Sequence, residues 1–283
     1  MPYIYVRVYS NPPNFPYLYP MTFPLQLHLG RATLSTHLLF ETLGFFLGFR
    51  YFLYLRKKQT DAIPDTNRIW IIIGATFGAF LFSRLVGALE NPPNLWHSQH
   101  PLLYLYANKT IVGALLGGLL CVELTKKVLG EKQSSGDLFT YPLILAMIIG
   151  RIGCFTSGLT EETYGLPTTS IFGIDLGDGP RHPVTLYEIV FLGLLWFTLT
   201  RLEQGITLKN GYRFQLFLID YLAFRFLLDF IKPRFTWFLG LSTIQLCCVL
   251  GLVYYGKTIW KIFTNFSTLT INPKTAHSSP YGK

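Results

Sequence analysis

Seven long apolar stretches decide what this chain can fold into. Each is about 20 residues long, the length that a helix needs to cross the hydrocarbon layer of a membrane. A spanning segment must satisfy its own backbone hydrogen bonds, so such a stretch forms a helix. The sequence therefore predicts an all-α integral membrane protein with seven transmembrane helices, at about residues 33–55, 69–89, 110–128, 140–158, 183–201, 212–231 and 238–257.

The composition agrees with this class and excludes a soluble enzyme. Hydrophobic residues make up 50% of the 283 positions and charged residues only 14%, whereas soluble domains carry about 25% charge. The four cysteines lie in or beside apolar stretches, so no disulfide framework is expected. The net charge of +9 comes without a Lys/Arg-rich helix or an RNA-binding module, so no nucleic-acid partner is expected.

The basic residues instead indicate orientation, because cytoplasmic connections are enriched in Lys and Arg. Fourteen fall in the connections after the first, third and fifth stretches and in the C-terminal tail, against six on the opposite side. The N-terminus is therefore expected outside and the C-terminus in the cytoplasm. Residues 1–32 are expected to form a surface segment, residues 33–262 the transmembrane domain, and residues 263–283 a cytoplasmic tail whose last ten residues are disordered.

Several ionisable residues lie within the apolar stretches, where each costs at least about 2.5 to 3.5 kcal/mol near mid-span. Six of them, from five helices, fall at the depth of the outer leaflet: Glu41, Arg84, Arg151, Glu188, Arg225 and Asp229. Singly, such arginines can reach the headgroups, and Arg225 and Asp229 could neutralise each other. Together, the six favour a pocket in which arginines grip the phosphate of an anionic phospholipid.

The most specific motif is Gly-Arg-Ile-Gly-Cys-Phe-Thr-Ser-Gly at 150–158. Further motifs are Gly-Ala-Leu-Leu-Gly at 113–117, Thr-Tyr-Gly-Leu-Pro-Thr at 163–168, Arg-His-Pro-Val-Thr-Leu-Tyr-Glu at 181–188, Phe-Arg-Phe-Leu-Leu-Asp-Phe at 224–230 and Leu-Ser-Thr-Ile-Gln at 241–245. In order and spacing, over roughly residues 33–256, they resemble the bacterial prolipoprotein diacylglyceryl transferase family, whose first motif reads G-R-I-G-N-F-x-N-G-E.

The resemblance implies a multi-pass enzyme of the bacterial plasma membrane. Members of the family move the diacylglyceryl group of phosphatidylglycerol to the lipobox cysteine of a prolipoprotein signal peptide and release glycerol phosphate. It implies that Arg151 and Arg225 bind the phosphate and that Asp229 orients Arg225. The expected catalytic residues are Arg151, Arg225, His182 and Glu162, and the expected substrate-binding residues are Glu41, Arg84, Gly153, Cys154, Gly165, Glu188 and Asp229. No metal and no cofactor are expected.

The sequence departs from the family pattern where proton transfer is concerned. Val112 stands at the position of a family histidine, and Cys154 and Ser157 replace two asparagines. A short insertion displaces the glutamate that follows, so that Glu161 or Glu162 stands in for it. Cys154 is interpreted as a packed small residue rather than a nucleophile.

Three ways to deprotonate the acceptor thiol stay open: His182, one of the two glutamates, or a thiol pKa lowered by the arginines alone. His28 and His37 are interpreted as polar contacts to headgroups. Two other functions also stay open, a diverged paralogue with another acceptor and a lipid-binding or transport protein without chemistry. A conventional transporter is less expected, because no pair of interrupted helices is evident in related halves.

Overall fold

The computed structural model describes residues 23–29, 32–59, 61–161, 163–264 and 266–270. The chain is mostly helical. Its helices are α1 (Thr36–Lys58), α2 (Asp65–Ala88), α3 (Pro92–Trp96), α4 (Pro101–Ala107), α5 (Ile111–Leu129), α6 (Asp137–Ser157), α7 (Val184–Gly205), α8 (Tyr212–Leu228), α9 (Thr243–Tyr254) and α10 (Gly256–Thr264). Two antiparallel hairpins pair β1 (Gln26–Leu29) with β2 (Ala32–Ser35) and β3 (Ile174–Asp175) with β4 (Pro180–Arg181).

The helices confirm the all-α membrane class, and each of the seven apolar stretches overlaps one of them. Within the described ranges, four helices are individually long and apolar enough to span a membrane: α1, α2, α6 with the turn that follows it, and α7. The number rises to six if two bent pairs, α4 with α5 (90°) and α9 with α10 (63°), each form one span. Helix α8, with 17 residues, is shorter than the usual span of about 20. The sequence did not predict the two bends.

The seventh stretch forms a shorter helix than predicted, because its first residues, before Thr243, are not part of the α-helix. Leu239 and Gly240 have positive φ angles of 63° and 67°, which a right-handed helix excludes. The hydroxyl of Ser242 then accepts a hydrogen bond from the backbone N–H of Gln245 (3.1 Å), and the Gln245 side chain accepts one from the backbone N–H of Ser242 (3.0 Å). This reciprocal capping box fixes the start of α9 at Thr243.

Glycines let the two main helix pairs approach closely. Helix α2 packs against α5, where a Cβ on Gly117 would lie 2.5 Å from the backbone oxygen of Gly78. Helix α1 packs against α6, where a Cβ on Gly44 would lie 2.9 Å from the backbone oxygen of Ala146. Small residues at crossings of this kind are typical of helices that associate in lipid.

Apolar side chains fill the centre of the bundle and also cover its outside. Ile144 of α6, Leu192 of α7 and Phe217 of α8 are fully buried. On the outer surface Phe45 and Phe77 are more than half exposed, as are many other large apolar side chains. An apolar surface of this extent is typical of a protein that faces lipid.

One end of the bundle is tied together by ion pairs at the basic connections. Arg68 is 1% exposed and donates hydrogen bonds to Asp61 (2.8 Å) and to the backbone oxygen of Ser135 (3.1 Å). Arg213, at the start of α8, contacts Glu203, near the end of α7. The ionisable residues that the sequence places at outer-leaflet depth lie toward the opposite ends of their helices.

The N-terminal hairpin and the connection between α6 and α7 pack on that opposite end. The backbone N–H of Leu25 donates to the backbone oxygen of Thr156 in α6 (2.9 Å). In the connection, the backbone N–H of Leu166 donates to the backbone oxygen of Ile231, just after α8 (2.8 Å). These contacts fix both segments over the ends of α6 and α8.

Parts of the predicted terminal segments lie outside the described residues. Residues 1–22 of the predicted surface segment do so, as do residues 271–283 of the predicted tail, including its last ten residues. The part of the first segment that is described contains β1 and the first residue of β2, and the rest of β2 lies in the predicted transmembrane domain.

Candidate active site

Two buried arginines share one carboxylate where α6, α7 and α8 meet. Glu188 is 2% exposed, and its Oε1 lies 2.8 Å from Nε of Arg151. Its Oε2 lies 3.8 Å from Nη1 of Arg225. The hydroxyl of Tyr221 donates a hydrogen bond to Oε1 at 2.8 Å. Two positive charges therefore face one negative charge among buried side chains.

Helix ends bring these four side chains together. Arg151 lies near the end of α6, Glu188 near the start of α7, and Arg225 in the last turn of α8. Tyr221 and Arg225 are four residues apart, so both project from the same face of α8. That face meets Glu188 across the helix contact.

The arginines have hydrogen-bonding capacity that the described residues do not fill. Nε of Arg225 is buried and has no hydrogen-bond acceptor among the described residues. Nη1 of the same arginine lies 3.8 Å from Glu188 Oε2, too far for a hydrogen bond. Nε of Arg151, although close to Glu188, is also not aligned for a hydrogen bond. Such unmet donors are costly when buried. A phosphate would supply the missing acceptors, and its geometry matches the guanidinium fork.

Asp229 was predicted to orient Arg225, but the carboxylate that contacts Arg225 is Glu188. Asp229 is 2% exposed and accepts a hydrogen bond from the hydroxyl of Ser242 at the start of α9.

Lys232 is also buried, in the segment that follows α8. Burial lowers the pKa of Lys232, and the negative charge of Glu90 offsets this only in part.

A second charged cluster begins in the first turn of α1. His37 is 9% exposed, and its Nδ1 lies 3.0 Å from Glu161 Oε1 and 3.2 Å from Ser157 Oγ. Its Nε2 lies 3.4 Å from Glu41 Oε2. Lys109 Nζ donates to both carboxylate oxygens of Glu41, at 2.5 and 2.6 Å. Lys109, Glu41, His37 and Glu161 thus form a row of contacts from the residues before α5 to the end of α6.

Cys154 connects the two clusters. Its Sγ lies 3.6 Å from Nη1 of Arg151, and the donor atoms of His37, Cys154 and Glu161 all lie within 4.8 Å of one another. Histidine, cysteine and carboxylate are ligand types that Zn²⁺ binds, so these three residues could hold such an ion. The contact between His37 and Glu161 explains their proximity without a metal.

Cys154 also lines a small cleft under the α6–α7 connection. Thr163 and His182 line the same cleft. The Oγ1 of Thr163 is buried without a hydrogen-bond partner among the described residues. Nδ1 of His182 lies 3.3 Å from the hydroxyl of Tyr187. The predicted residues Cys154 and His182 are therefore brought to one cleft beside the arginine pair.

The two predicted glycines allow backbones to meet at the site. A Cβ on Gly153 would lie 3.1 Å from the backbone oxygen of His37. A Cβ on Gly165 would lie 2.4 Å from the backbone oxygen of His182. A side chain at Gly165 would therefore displace the backbone of His182, whereas one at Gly153 would be tightly packed against His37 and require a small shift.

Of three other positions from the sequence analysis, two have surroundings of their own and one is not described. Arg84 donates to the backbone oxygen of Tyr106 and lies over its ring, 4.8 Å from the centroid. Glu162 lies outside the described residues. Val112, at the position of the family histidine, is 0% exposed and belongs to the apolar core.

Sequence reasoning missed the cluster around His37, which it assigned to headgroup contact. The spacing of His37 and Glu41, four residues apart in a helix, is the one signal that could have indicated a pair. Lys109 and Glu161 come from distant segments, so no spacing rule connects them to His37. The sequence did not indicate a role for Tyr221, because a tyrosine in an apolar helix is common and its partner, Glu188, lies on another helix.

The fold and the site together define a helical membrane protein with a buried pair of arginines at one end of its bundle. This arrangement suits an anionic ligand that enters from the membrane. Comparison with known proteins gives the family.

The chain belongs to the prolipoprotein diacylglyceryl transferase family, whose model matches residues 24–260. It is 27% identical over 264 residues to the phosphatidylglycerol–prolipoprotein diacylglyceryl transferase of Nitratidesulfovibrio vulgaris strain Miyazaki F, covering 87% of this chain and 95% of the relative. The enzyme of that name from Bordetella bronchiseptica is 28% identical over 240 residues, covering 79% and 87%. That from Rickettsia conorii is 27% identical over 223 residues, covering 76% and 85%. No solved structure matches the chain.

Proposed function

We propose that this chain transfers the diacylglyceryl group of phosphatidylglycerol to the lipobox cysteine thiol of a prolipoprotein and releases glycerol phosphate. The observation that carries the proposal is the pair of buried arginines, Arg151 and Arg225, on the single carboxylate of Glu188. The relatives named above are phosphatidylglycerol–prolipoprotein diacylglyceryl transferases, which favours this reaction over another acceptor or simple lipid binding.

In this reaction the arginine pair binds the phosphate of the lipid. The acceptor sulfur bonds to the carbon of the diacylglyceryl group that carries the phosphate, the bond from that carbon to the phosphate oxygen breaks, and its electron pair leaves with the glycerol phosphate. Arg151 and Arg225 stabilise the charge that grows on this leaving group, in a site where burial strengthens the interaction. Glu188 keeps the two guanidinium groups in place before the lipid binds.

The small cleft lined by Cys154 and His182 has room for about one water molecule, so it must open to admit the acceptor cysteine. Cys154 is 3.6 Å from Arg151, so a thiol in this cleft lies beside a phosphate held by the arginines. The connection between α6 and α7, residues 159–181, acts as a lid that excludes water from the reaction. Gly153, Gly165 and Asp229 support the site through the contacts described above.

We propose further that the chain crosses the bacterial plasma membrane seven times, with the N-terminus outside and the transmembrane domain at residues 33–262. The connections rich in Lys and Arg all lie at the end of the bundle away from the arginine pair, which supports this orientation. The site then opens to the outer leaflet. Labelling of single introduced cysteines in intact cells, at residue 60 and residue 170, tests it: residue 170 alone should react with an impermeant reagent.

Complementation tests the function. The chain is expressed in a bacterium whose own transferase can be switched off, beside Arg151→Ala and the control Arg201→Ala, whose arginine is exposed on α7. Growth and diacylglycerol-modified lipoprotein are followed at matched membrane expression. Rescue by the parent and by Arg201→Ala, with none by Arg151→Ala, supports the proposal. No rescue by the parent contradicts it.

A further inference from the structure

Three side chains with metal-binding atoms meet between the start of α1 and the end of α6. They are His37, Cys154 and Glu161, and their ligand atoms all lie within 4.8 Å of one another. His37 is buried, and the other two residues are partly buried. The ion pair between His37 and Glu161 accounts for those two side chains. It does not account for the Cys154 thiol, which an ion pair does not need.

His37 is oriented as a metal-ligating histidine is. Its Nδ1 lies 3.0 Å from Glu161 Oε1, and its Nε2 faces Glu41 Oε2 at 3.4 Å. Lys109 donates to both carboxylate oxygens of Glu41. A ligating histidine almost always donates its other ring N–H to a carboxylate, carbonyl or water, and that partner fixes the tautomer and the ring. With Glu41 in this role, Nδ1 is the nitrogen that binds the ion.

A bound cation takes the place of protons that the cluster holds without it. In the ion pair of His37 with Glu161, a proton lies on Nδ1. Metal ions bind neutral imidazole and thiolate, so binding displaces this proton and the thiol proton of Cys154. Two protons leave as a divalent cation enters, and the net charge of the cluster does not change. Neither Glu161 nor Glu41 is left without a partner.

The sulfur of Cys154 has a hydrogen-bond donor of its own. Nη1 of Arg151 lies 3.6 Å from Sγ, and contacts of this kind support ligating groups. The cleft that Cys154 lines has room for about one water molecule. Thr163 lines the same cleft, and its Oγ1 is buried without a hydrogen-bond partner among the described residues. A water there supplies a fourth ligand beside three protein ligands, the usual composition of an open zinc site.

We propose that His37, Cys154 and Glu161 form a binding site for a thiophilic divalent cation such as Zn²⁺. A set of one nitrogen, one sulfur and one oxygen suits Zn²⁺, whereas Mg²⁺ and Ca²⁺ take oxygen ligands. Metal–ligand bonds of about 2.0 to 2.3 Å need only small side-chain movements from the observed separations. The site joins the first turn of α1 to the end of α6. The inference goes beyond the proposed function and does not depend on it.

Co²⁺ is the probe for the test, because it replaces Zn²⁺ and its absorption reports the ligands. The full chain, purified in detergent micelles without a histidine tag and freed of metal with a chelator, is titrated with Co²⁺. We expect about one ion per chain, a thiolate-to-cobalt charge-transfer band, and displacement by Zn²⁺ but not by Mg²⁺. Cys154→Ser should lose the band. Cys121→Ser, which changes a partly buried cysteine on α5, is the matched control and should keep it.

Two further variants carry the test if Cys154→Ser does not fold. The Glu161 side chain is 36% exposed, so Glu161→Gln should leave the fold intact while the affinity for Co²⁺ falls. Glu41→Gln keeps all three ligands, and we expect it to weaken Co²⁺ binding about 10 to 100-fold without removing the band, the usual effect of losing the carboxylate behind a ligating histidine. Glu203→Gln, at the opposite end of the bundle, is the control and should bind Co²⁺ as the parent does.

Three results would overturn the proposal. The first is a parent chain that binds no Co²⁺. The second is a charge-transfer band that persists in Cys154→Ser or disappears in Cys121→Ser. The third is Co²⁺ that binds without a thiolate band and with the same affinity in Glu161→Gln, since that ion would be an adventitious ion only.

Discussion

Arg151 and Arg225 face different oxygens of the same carboxylate, that of Glu188, at 2.8 and 3.8 Å. The Tyr221 hydroxyl donates to the oxygen nearer Arg151, so the carboxylate is fully engaged on one side and only loosely on the other. The guanidinium of Arg225 is therefore the less satisfied of the two. We therefore expect a lipid phosphate to bind preferentially to Arg225, because its guanidinium loses only a long contact to Glu188 when the phosphate binds.

The first prediction concerns the shared carboxylate. Glu188→Gln keeps the side-chain shape but leaves two buried guanidinium groups without a counter-charge. Removing one partner of a buried ion pair costs about 3–5 kcal/mol. We expect a clear fall in the thermal unfolding midpoint in detergent micelles, and a smaller fall when phosphatidylglycerol is added than when a zwitterionic lipid is added, since the anion replaces the lost charge.

Glu203→Gln is the control for this prediction. Glu203 contacts Arg213 at the other end of the bundle, and its side chain is 23% exposed. Partly exposed pairs of this kind contribute about 1 kcal/mol or less. Equal destabilisation by the two variants, or no effect of phosphatidylglycerol on Glu188→Gln, would mean that the arginine pair does not hold an anion.

A second prediction separates charge from geometry at Arg225. Arg225→Lys keeps the positive charge but loses the planar fork that grips a phosphate with two hydrogen bonds. We expect turnover to fall about 10² to 10³-fold, the usual effect of losing one donor to a developing anion. The measurement is transfer of labelled diacylglycerol to a lipobox peptide. Arg201→Lys is the control, and a full rate in Arg225→Lys would contradict a bidentate role.

The sequence predicted those parts of the site that depend only on how deep a residue lies in the membrane. Charges within apolar stretches are costly, so Arg151, Glu188 and Arg225 stand out, and the orientation rule places them at one level. The structure brings these three together. The spacing of Arg225 and Asp229 suggests a pair on one helix face, but α8 ends at Leu228 and Asp229 lies in the turn that follows it. There Asp229 accepts a hydrogen bond from Ser242, while Arg225 forms its ion pair with Glu188.

The parts that sequence did not predict depend on loops and helix ends. His37 meets Glu161 only because the chain turns after α6 and returns over α1. The bends between α4 and α5 and between α9 and α10 occur at short breaks in the helices. A search for apolar stretches of 20 residues does not detect them, because a few non-helical residues barely change the mean hydropathy. The motif at 241–245 resembles a family motif in the sequence. Its role as a capping box at the start of α9 is evident only from the backbone geometry.

The third prediction tests that capping box. Ser242 caps α9 and also donates a hydrogen bond to Asp229, so Ser242→Ala removes a helix cap and a partner of a buried carboxylate. A lost cap costs about 0.5–2 kcal/mol, and the stranded carboxylate adds to it. Ser242→Thr keeps both contacts and should stay close to the parent in thermal unfolding. Ser83→Ala, whose hydroxyl donates to the backbone oxygen of Phe80 in its own helix, is the control. Equal stability of Ser242→Ala and Ser83→Ala would contradict the cap.

The last prediction uses the ion pairs at the opposite end of the bundle. Burial opposes the charge on Asp61, but hydrogen bonds from Arg68, from the backbone of Ile63 and from Arg56 outweigh it and lower the pKa of Asp61. A carboxyl whose pKa is lower in the folded state adds stability above its unfolded pKa of about 3.9, and that stability is lost as the pH falls through the folded value.

Asp61→Asn should therefore be less stable than the parent at neutral pH, by about 3–5 kcal/mol, because Arg68 loses its counter-charge while buried. The difference in the free energy of unfolding between the parent and Asp61→Asn should stay constant down to about pH 5. It should narrow below about pH 4, where the Asp61 carboxyl of the parent begins to take up a proton. Denaturant unfolding in micelles across this range measures it. Asp65→Asn, whose side chain is 89% exposed, is the matched control and should show little gap. A gap that widens toward low pH would contradict the sign of the shift.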